Sequence, residues 1–177
     1  MKKQVFASLA AVALALAAPV MAQKSAGELV DDGTIATSVK GSLLAEKGVP
    51  SGDVNVEVYK GVVLLSGFVK TQDEKDKAGK VAKSVSGVAS VRNQIAVHPA
   101  TSMGTKLDDT LLVSKVKAAL VDAKDVKSGQ INVEARGGIV QLGGFVTGEK
   151  MKERAISVAK GVSGVKQVVD ALFVKPE

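Results

Sequence analysis

The sequence contains no cysteine and no tryptophan, and it has a single histidine, His98, and a single tyrosine among 177 residues. Without cysteine no disulfide framework can form, and one histidine cannot assemble the usual zinc or copper ligand sets. His98 stands before a proline between two similar stretches of sequence, where a solvated linker residue is the simpler interpretation. Aromatic residues make up 3% of the chain, too few for a platform on which nucleic-acid bases stack.

Motifs that hold cofactors are also missing. The sequence has no Asp-x-Asp-x-Asp-Gly calcium loop and no Gly-x-x-x-x-Gly-Lys-Ser/Thr phosphate loop. Gly143-Gly144 ends a predicted strand and does not begin a helix. We therefore predict no catalytic residue, no cofactor, no metal site and no small-molecule substrate, and we expect a protein that is not an enzyme.

The first 22 residues have the composition of a secretory signal peptide. Lys2 and Lys3 precede an Ala- and Leu-rich stretch at 5–18, and Ala22 provides a small residue for cleavage. A membrane anchor is the alternative, but the apolar stretch is shorter than the roughly 20 residues that a spanning helix needs. We expect export to the periplasm, with no cysteine after the cleavage point to carry a lipid and hence no lipoprotein.

The positive charge of the chain is spread thinly. Removal of Lys2 and Lys3 lowers the formal charge from +6 to +4 (6 − 2), and basic and acidic residues are nearly balanced in the rest of the chain. Nucleic-acid binders concentrate basic residues in a patch or stripe, so nucleic acid is not expected as a partner.

The most informative feature that is present is an internal repeat. Residues 31–97 and 108–174 align at a constant offset of 77 without a gap: Val54-Asn55-Val56-Glu57 corresponds to Ile131-Asn132-Val133-Glu134. A regular repeat sets the number of domains. We predict a leader at 23–30, domain 1 at 31–97, a linker at 98–107 with Pro99 and Gly104 as breakers, and domain 2 at 108–174.

The pattern within each copy predicts the order αββαβ. Ile35, Val39 and Leu43 recur at helical spacing after Asp31-Asp32, which suit a helix N-terminus, and Asp108-Asp109 repeat this arrangement. Two alternating strands follow, separated by Lys60-Gly61 or Gly137-Gly138, then a second helix with small residues on its apolar face, and then a last strand. We predict an α+β fold, each domain a three-stranded mixed sheet with two helices on one face, the strand order being left open.

Several retained residues have mainly structural interpretations. The glycines favour turns, helix ends or close backbone approach. By alternation Phe68 faces away from the helices; a bulge at Gly67 would turn it into the core, and an exposed ring contacting lipid or an unfolded chain is the alternative. Asn55 and Glu57 share the polar face of a strand, which favours a solvated or cross-strand role. The retained set is Gly61, Gly67, Phe68, Gly87, Gly138, Gly144, Phe145 and Gly164.

These features together resemble the BON-domain family. The resemblance lies in the Val-x-Val-x-x-x-x-Gly-x-Val-x-Leu-x-Gly-Phe-Val run at 54–69 and the Val-x-Gly-Val-x-x-Val run at 85–91, both repeated 77 residues later behind a signal peptide. The pattern is similar to that of the periplasmic, osmotically inducible members with two such domains. The resemblance implies binding to phospholipid membranes in envelope integrity and osmotic stress, and for some members chaperoning of exported outer-membrane proteins.

Two functional hypotheses follow, and we expect a monomer in both. In the first, the domains bind an anionic phospholipid surface through basic residues of the second helices, although the acidic residues among them favour a solvated, salt-bridged helix. In the second, the protein is a soluble holdase for unfolded outer-membrane proteins. The predicted membrane contacts are Lys75, Lys77, Lys80, Lys83, Lys150, Lys152, Arg154 and Lys160.

Overall fold

The computed structural model describes residues 31–99 and 103–175. The predicted signal peptide and leader lie outside these residues. Domain 1 contains α1 (Asp32–Ala45), β1 (Val54–Tyr59), β2 (Val62–Val69), α2 (Gln72–Ser84), β3 (Ser90–Asn93) and β4 (Ala96–Val97). Domain 2 contains α3 (Met103–Asp122), β5 (Asn132–Arg136), β6 (Ile139–Val146), α4 (Glu149–Lys160) and β7 (Gln167–Val174). Short 3₁₀ turns, Ser51–Asp53 and Ser128–Gln130, precede β1 and β5.

The sheets have the mixed topology that the pattern predicted, with the second strand of each copy at the centre. In domain 1, β2 pairs antiparallel with β1 and parallel with β3 and β4. In domain 2, β6 pairs antiparallel with β5 and parallel with β7. β3 and β4 are one strand interrupted at Gln94 and Ile95, since both pair with β2 in the register that β7 keeps with β6. The predicted α+β fold class is confirmed.

Each domain has its own core between its sheet and its two helices. In domain 1, α1 contributes Ile35, Val39 and Leu43, and α2 contributes Ala78 and Ala82, both fully buried. The small alanines let α2 lie close to the sheet, as the pattern indicated. Domain 2 repeats the arrangement with α3 and α4.

The acidic pairs do more than was predicted from them, and Asp108-Asp109 lie within α3 and not at its N-terminus as predicted. Asp31 makes no side-chain capping hydrogen bond; instead the Asp32 carboxylate accepts hydrogen bonds from the backbone N–H groups of Lys60 and Gly61, at 2.7 and 2.8 Å. Asp109 accepts the same two bonds from Gly137 and Gly138, at 2.8 and 2.9 Å. One carboxylate therefore ties the first helix of each domain to its hairpin turn.

The first helix of domain 2 extends into the predicted linker. α3 begins at Met103, so residues 103–107 are helical and Gly104 does not break the chain there. A glycine in a first turn costs the helix little, because several N–H groups of that turn have no intrahelical partner in any case. Leu107 therefore belongs to a helix and shares one side of it with residues one turn further along α3.

Candidate functional site

The two sheets pack face to face, through the faces that point away from the helices. β2 lies against β6, and residues at the same repeat position meet there. Ser66 and Gly143 are 77 residues apart, and a Cβ on Gly143 would lie 2.5 Å from the Ser66 Oγ. The contact of a position with its own repeat indicates a pseudo-twofold axis, as in an isologous dimer interface.

Gln141 is the central polar group of this interface. Its side-chain Oε1 accepts a hydrogen bond from the backbone N–H of Gly67, and its Nε2 donates to the backbone carbonyl of Gln94 at 2.7 Å. Gln141 stands where the first copy has Leu64, yet both side chains are 1% exposed, since each domain covers the other.

The retained Asn and Glu side chains also face the partner domain. Asn55 Nδ2 donates to Glu134 Oε1 at 3.2 Å across the interface. Burial raises the pKa of Glu57 above its usual value, although the backbone N–H of Phe145 and the charges of Lys40 and Lys175 act in the opposite direction. The predicted solvated or cross-strand role of these residues is replaced by an interdomain one.

Every aromatic side chain within the described residues lies at this interface. The ring centroids of Tyr59 and Phe145 are 5.7 Å apart, and those of Phe145 and Phe173 are 5.9 Å apart. Phe68 is 3% exposed, but the β1–β2 register is unbroken at Gly67, so no bulge turns the ring into the domain core. The ring is therefore buried, which rules out the exposed alternative, but it packs against the second domain and not into the core of its own domain.

Cationic side chains cover these rings from the opposite domain. Arg136 lies 5.5 Å from the centroid of Phe68, and Lys175 lies 5.0 Å from that of Tyr59. Arg136 also pairs with Asp53 at 3.1 Å. Tyr59 and Arg136 occupy the same repeat position. The Tyr59 ring therefore packs against Phe145 in one half of the interface, and the Arg136 guanidinium packs against Phe68 in the other.

The glycines of the retained set lie where the backbone requires them. Gly67 and Gly144 have φ of +117° and +137°, and a Cβ there would lie 2.1 Å from the backbone carbonyl oxygens of Asp53 and Gln130. The Gly61 and Gly138 turns are of the type in which both central residues have positive φ. Gly87 and Gly164 have positive φ, but they lie in turns three and four residues beyond the ends of α2 and α4, so the predicted role as helix caps was wrong.

The basic residues predicted to contact membranes lie on α2 and α4, apart from the interface. Lys77 pairs with Asp73 at 3.1 Å, and Lys152 pairs with Asp170 at 2.9 Å, which raises the pKa of Lys152. None of the large apolar side chains that are exposed in the described residues belongs to α2 or α4. Lys80, Lys83, Lys150, Arg154 and Lys160 are exposed, and Lys75 is half-buried.

The outer face of α3 carries a feature that the sequence reasoning missed. Leu107, Leu111 and Val121 are 68, 62 and 66% exposed. With Ser114 and Ala118 they are spaced four and three residues apart in alternation, which places all five along one side of a helix. We call these five residues the outer stripe. The buried face of α3 (Leu112, Val116 and Leu120) lies on the opposite side, so the helix is apolar on two faces.

Exposed lysines flank the outer stripe. On an ideal helix Lys106 and Lys117 fall on one side of it and Lys115 on the other, with Asp108 and Asp122 as the nearby acids. The corresponding face of α1 has Thr34, Thr37, Gly41 and Leu44, of which only Leu44 is a large apolar residue. The stripe therefore belongs to the second copy and is not a requirement of the shared fold.

A cleft of about 400 Å³ opens between the domains beside α3. We call it the interdomain cleft. It is lined by residues of both domains: Asp53, Phe68, Lys70, Lys106, Asp109, Thr110, Val113, Glu134, Ala135 and Arg136. The described residues contain no cluster of three or more potential metal ligands from His, Cys, Asp and Glu. Within the same residues no helix has the length and apolar character needed to cross a bilayer.

The fold and the interface define a class: a tandem repeat of two αββαβ domains whose sheets face each other. The BON-domain family model matches residues 31–99 and 108–176. The chain belongs to the BON-domain family.

Relatives with curated names extend over most of the chain. It is 39% identical to the osmotically-inducible protein Y of Escherichia coli over 151 residues, covering 84% of this chain and 75% of that protein. It is 34% identical to the outer membrane lipoprotein DolP of Haemophilus influenzae over 147 residues, covering 82% and 76%. Among solved structures, CdsD of the Chlamydia trachomatis type III secretion system shares 13% identity, with a TM-score of 0.34 over 84% of this chain and 65% of that chain, a likeness too distant to support an argument.

Proposed function

We propose that the protein is a non-enzymatic protein of the bacterial envelope, of the osmotic-stress type, that binds phospholipid membrane surfaces through the outer stripe of α3. The observation that carries the proposal is the row of exposed apolar side chains on that helix, flanked by Lys106, Lys115 and Lys117. A helix with an apolar stripe and lysines on its flanks lies in the plane of a membrane interface, with its apolar side chains among the acyl chains.

The dimensions of the stripe suit this role. Residues 107–121 span about 21 Å of helix, at about 1.5 Å per residue. Burial of an exposed leucine or valine side chain contributes roughly 1.5–3 kcal/mol, and a lysine near an anionic surface contributes about 1 kcal/mol. Three large apolar residues with three lysines can therefore support reversible attachment.

The names of the relatives support the envelope as the place of action. One relative is named as osmotically inducible and another as an outer membrane lipoprotein. The predicted signal peptide at 1–22 would deliver the chain to the periplasm. The basic residues of α2 and α4, which the sequence predicted as the membrane contacts, are secondary contacts in this proposal, because lysines without neighbouring apolar groups add electrostatic attraction only.

The proposal is tested by flotation of the mature protein with vesicles that contain phosphatidylglycerol. We expect salt-sensitive binding that falls at least tenfold when Leu107 and Leu111 are both replaced by Gln, since two apolar contacts are lost. Both positions are exposed, so the fold should be unaffected. Leu44→Gln is the matched control, because Leu44 is 76% exposed on the equivalent helix of domain 1. Equal binding by the double variant and the control would contradict the proposal.

The alternative role as a holdase would use the same exposed stripe, because unfolded outer-membrane proteins also present apolar segments. It is distinguished by an aggregation assay with an unfolded outer-membrane protein and no lipid present. Suppression of aggregation that is lost in the Leu107→Gln, Leu111→Gln variant, with no vesicle binding by the unaltered protein, would favour the holdase over the membrane role.

A further inference from the structure

The interdomain cleft contains lysines that are not used by the fold. Its three acids are engaged: Asp53 pairs with Arg136 at 3.1 Å, Glu134 accepts from Asn55 at 3.2 Å, and Asp109 accepts from the turn N–H groups of Gly137 and Gly138. By contrast, Lys70 and Lys106 line the cleft from opposite domains, and neither ammonium group has an ion pair or hydrogen bond within the described residues.

The repeat shows that positive charge at these positions is not a folding requirement. The position of Lys70 is held by Thr147 in the second copy, and that of Arg136 is held by Tyr59 in the first. A second cleft between the domains, about 280 Å³, contains the repeat equivalents of Glu134 and Asp53, which are Glu57 and Gln130, and Lys40 is its one basic lining residue. The cations of the interdomain cleft are thus a property of one side of the molecule.

The cleft lies at the edge of the outer stripe. Lys106 and Thr110 line it, and the residues that follow each of them, Leu107 and Leu111, belong to the stripe. At the back of the cleft the Arg136 guanidinium is fixed by Asp53, by the carbonyl of His98 at 3.2 Å and by the Phe68 ring. A molecule with an anionic end in the cleft and an apolar end along the stripe would contact both features.

We propose that the interdomain cleft receives the phosphate group of a phospholipid headgroup, bound between the ammonium groups of Lys70 and Lys106, while the acyl chains lie along the outer stripe. This rests on the proposed function and adds a chemical preference to it. General attraction to an anionic surface depends on charge density alone, whereas a phosphate held between two lysines of different domains also depends on the identity of the anionic group.

The test compares two vesicles with the same negative charge in a phosphate-free galactolipid matrix. One carries phosphatidylglycerol and the other carries oleate. We expect the unaltered protein to bind the phosphatidylglycerol vesicles more tightly than the oleate vesicles. Combining Lys70→Thr with Lys106→Gln should lower the affinity for the phosphatidylglycerol vesicles by about fivefold per lysine, hence about 25-fold. Lys70→Thr introduces the residue of the second copy. The control, Lys47→Thr with Lys127→Gln, removes the same charge from exposed positions elsewhere and should keep the preference.

The outcomes separate this inference from the proposed function. Equal binding to both vesicles by the unaltered protein, or equal losses of vesicle affinity in the cleft variant and the control, would overturn the phosphate site and leave membrane binding by the stripe intact.

A soluble source of phosphate is tested with glycerol phosphate and amide NMR shifts at Lys70 and Lys106. Shifts without vesicle binding would assign the cleft to a soluble phosphate ester and overturn the lipid source. The absence of both shifts and vesicle binding would overturn the site altogether.

Discussion

At the residue scale, the tightest constraint is the approach of one backbone to another at Gly67 and Gly144. Both residues have positive φ, and both lack room for a Cβ because a backbone carbonyl stands 2.1 Å from where it would be. A flexible side chain could move aside from such a clash, but a carbonyl within a hydrogen-bonded sheet can move only if the sheet moves. This explains why the glycine before the phenylalanine recurs in both copies.

Gly67→Ala should therefore lower the free energy of unfolding by about 3 kcal/mol or more, since it combines an unfavourable φ with a backbone clash. Urea denaturation followed by circular dichroism would measure this. Gly41→Ala is the control: Gly41 lies in α1, and a Cβ added there would meet no atom within 4 Å beyond its chain neighbours and the backbone of its own helix, so alanine should stabilise by up to about 1 kcal/mol. Similar effects of the two substitutions would contradict the backbone explanation.

At the scale of elements, hydrogen bonds link the first helix of each domain to its hairpin turn, and neither a helical nor a hairpin sequence pattern predicts them. Asp32 and Asp109 stand in the first helices, yet their carboxylates hold both N–H groups of a turn about 28 residues further along the chain. Capping reasoning assigns such acids to their own helix, because local hydrogen bonds are the ones that sequence spacing can suggest. The turn amides have no other acceptor in the described residues, so the helix and the hairpin depend on each other.

Asp109→Ala should cost about 2–3 kcal/mol, because it leaves two backbone N–H groups, one of them buried, without an acceptor. The neighbouring Asp108→Ala provides the control: Asp108 is exposed whereas Asp109 is 6% exposed. The two variants carry the same change in charge, so thermal unfolding of both would show whether the loss of stability in the Asp109 variant comes from the turn. Equal stability of the two variants would rule out this role for Asp109.

At the scale of the whole molecule, the two domains are joined as an intramolecular pseudo-dimer. The interface combines rings with cations from the opposite domain and the two hydrogen bonds of Gln141. The strand faces that would be open to solvent in a single domain are buried here. Small domains of this length are marginal alone, and mutual burial supplies the missing contacts.

Gln141→Leu should weaken the association of the domains, although leucine is the residue at this position in the first copy. It leaves the N–H of Gly67 and the carbonyl of Gln94 unpaired, at a cost of about 1–3 kcal/mol. Calorimetry should then show a broader or divided transition, whereas we expect the unaltered protein to unfold in one step. Gln167→Leu, at an exposed position, is the control and should keep a single transition. An undivided and unshifted transition in the Gln141 variant would show that these bonds do not couple the domains.

Much of the fold could be predicted from local periodicity, whereas the surfaces could not. Alternation identified the strands, and small residues such as Ala78 and Ala82 identified the helix faces that meet the sheet. The same alternation placed Asn55 and Phe68 correctly on the face away from the helices but could not show what covers that face. The outer stripe was missed because α3 is apolar on two opposite sides, which removes the single amphipathic period on which helix prediction relies. Its first member, Leu107, was also predicted to lie in the linker.

The sequence by itself determined the repeat, the order αββαβ and the turn glycines, because each depends on contacts between residues close in the chain or on one residue's backbone freedom. Tertiary structure alone decided that the sheets face each other, that Gln141 is a buried interdomain link, and that the interdomain cleft lies beside the outer stripe. Those relations join residues tens of positions apart, and no spacing rule connects them. The repeat gives two equivalent domains related by a pseudo-twofold axis; the residues at which the copies differ, such as Lys70 and Leu111, make the two sides of the molecule different.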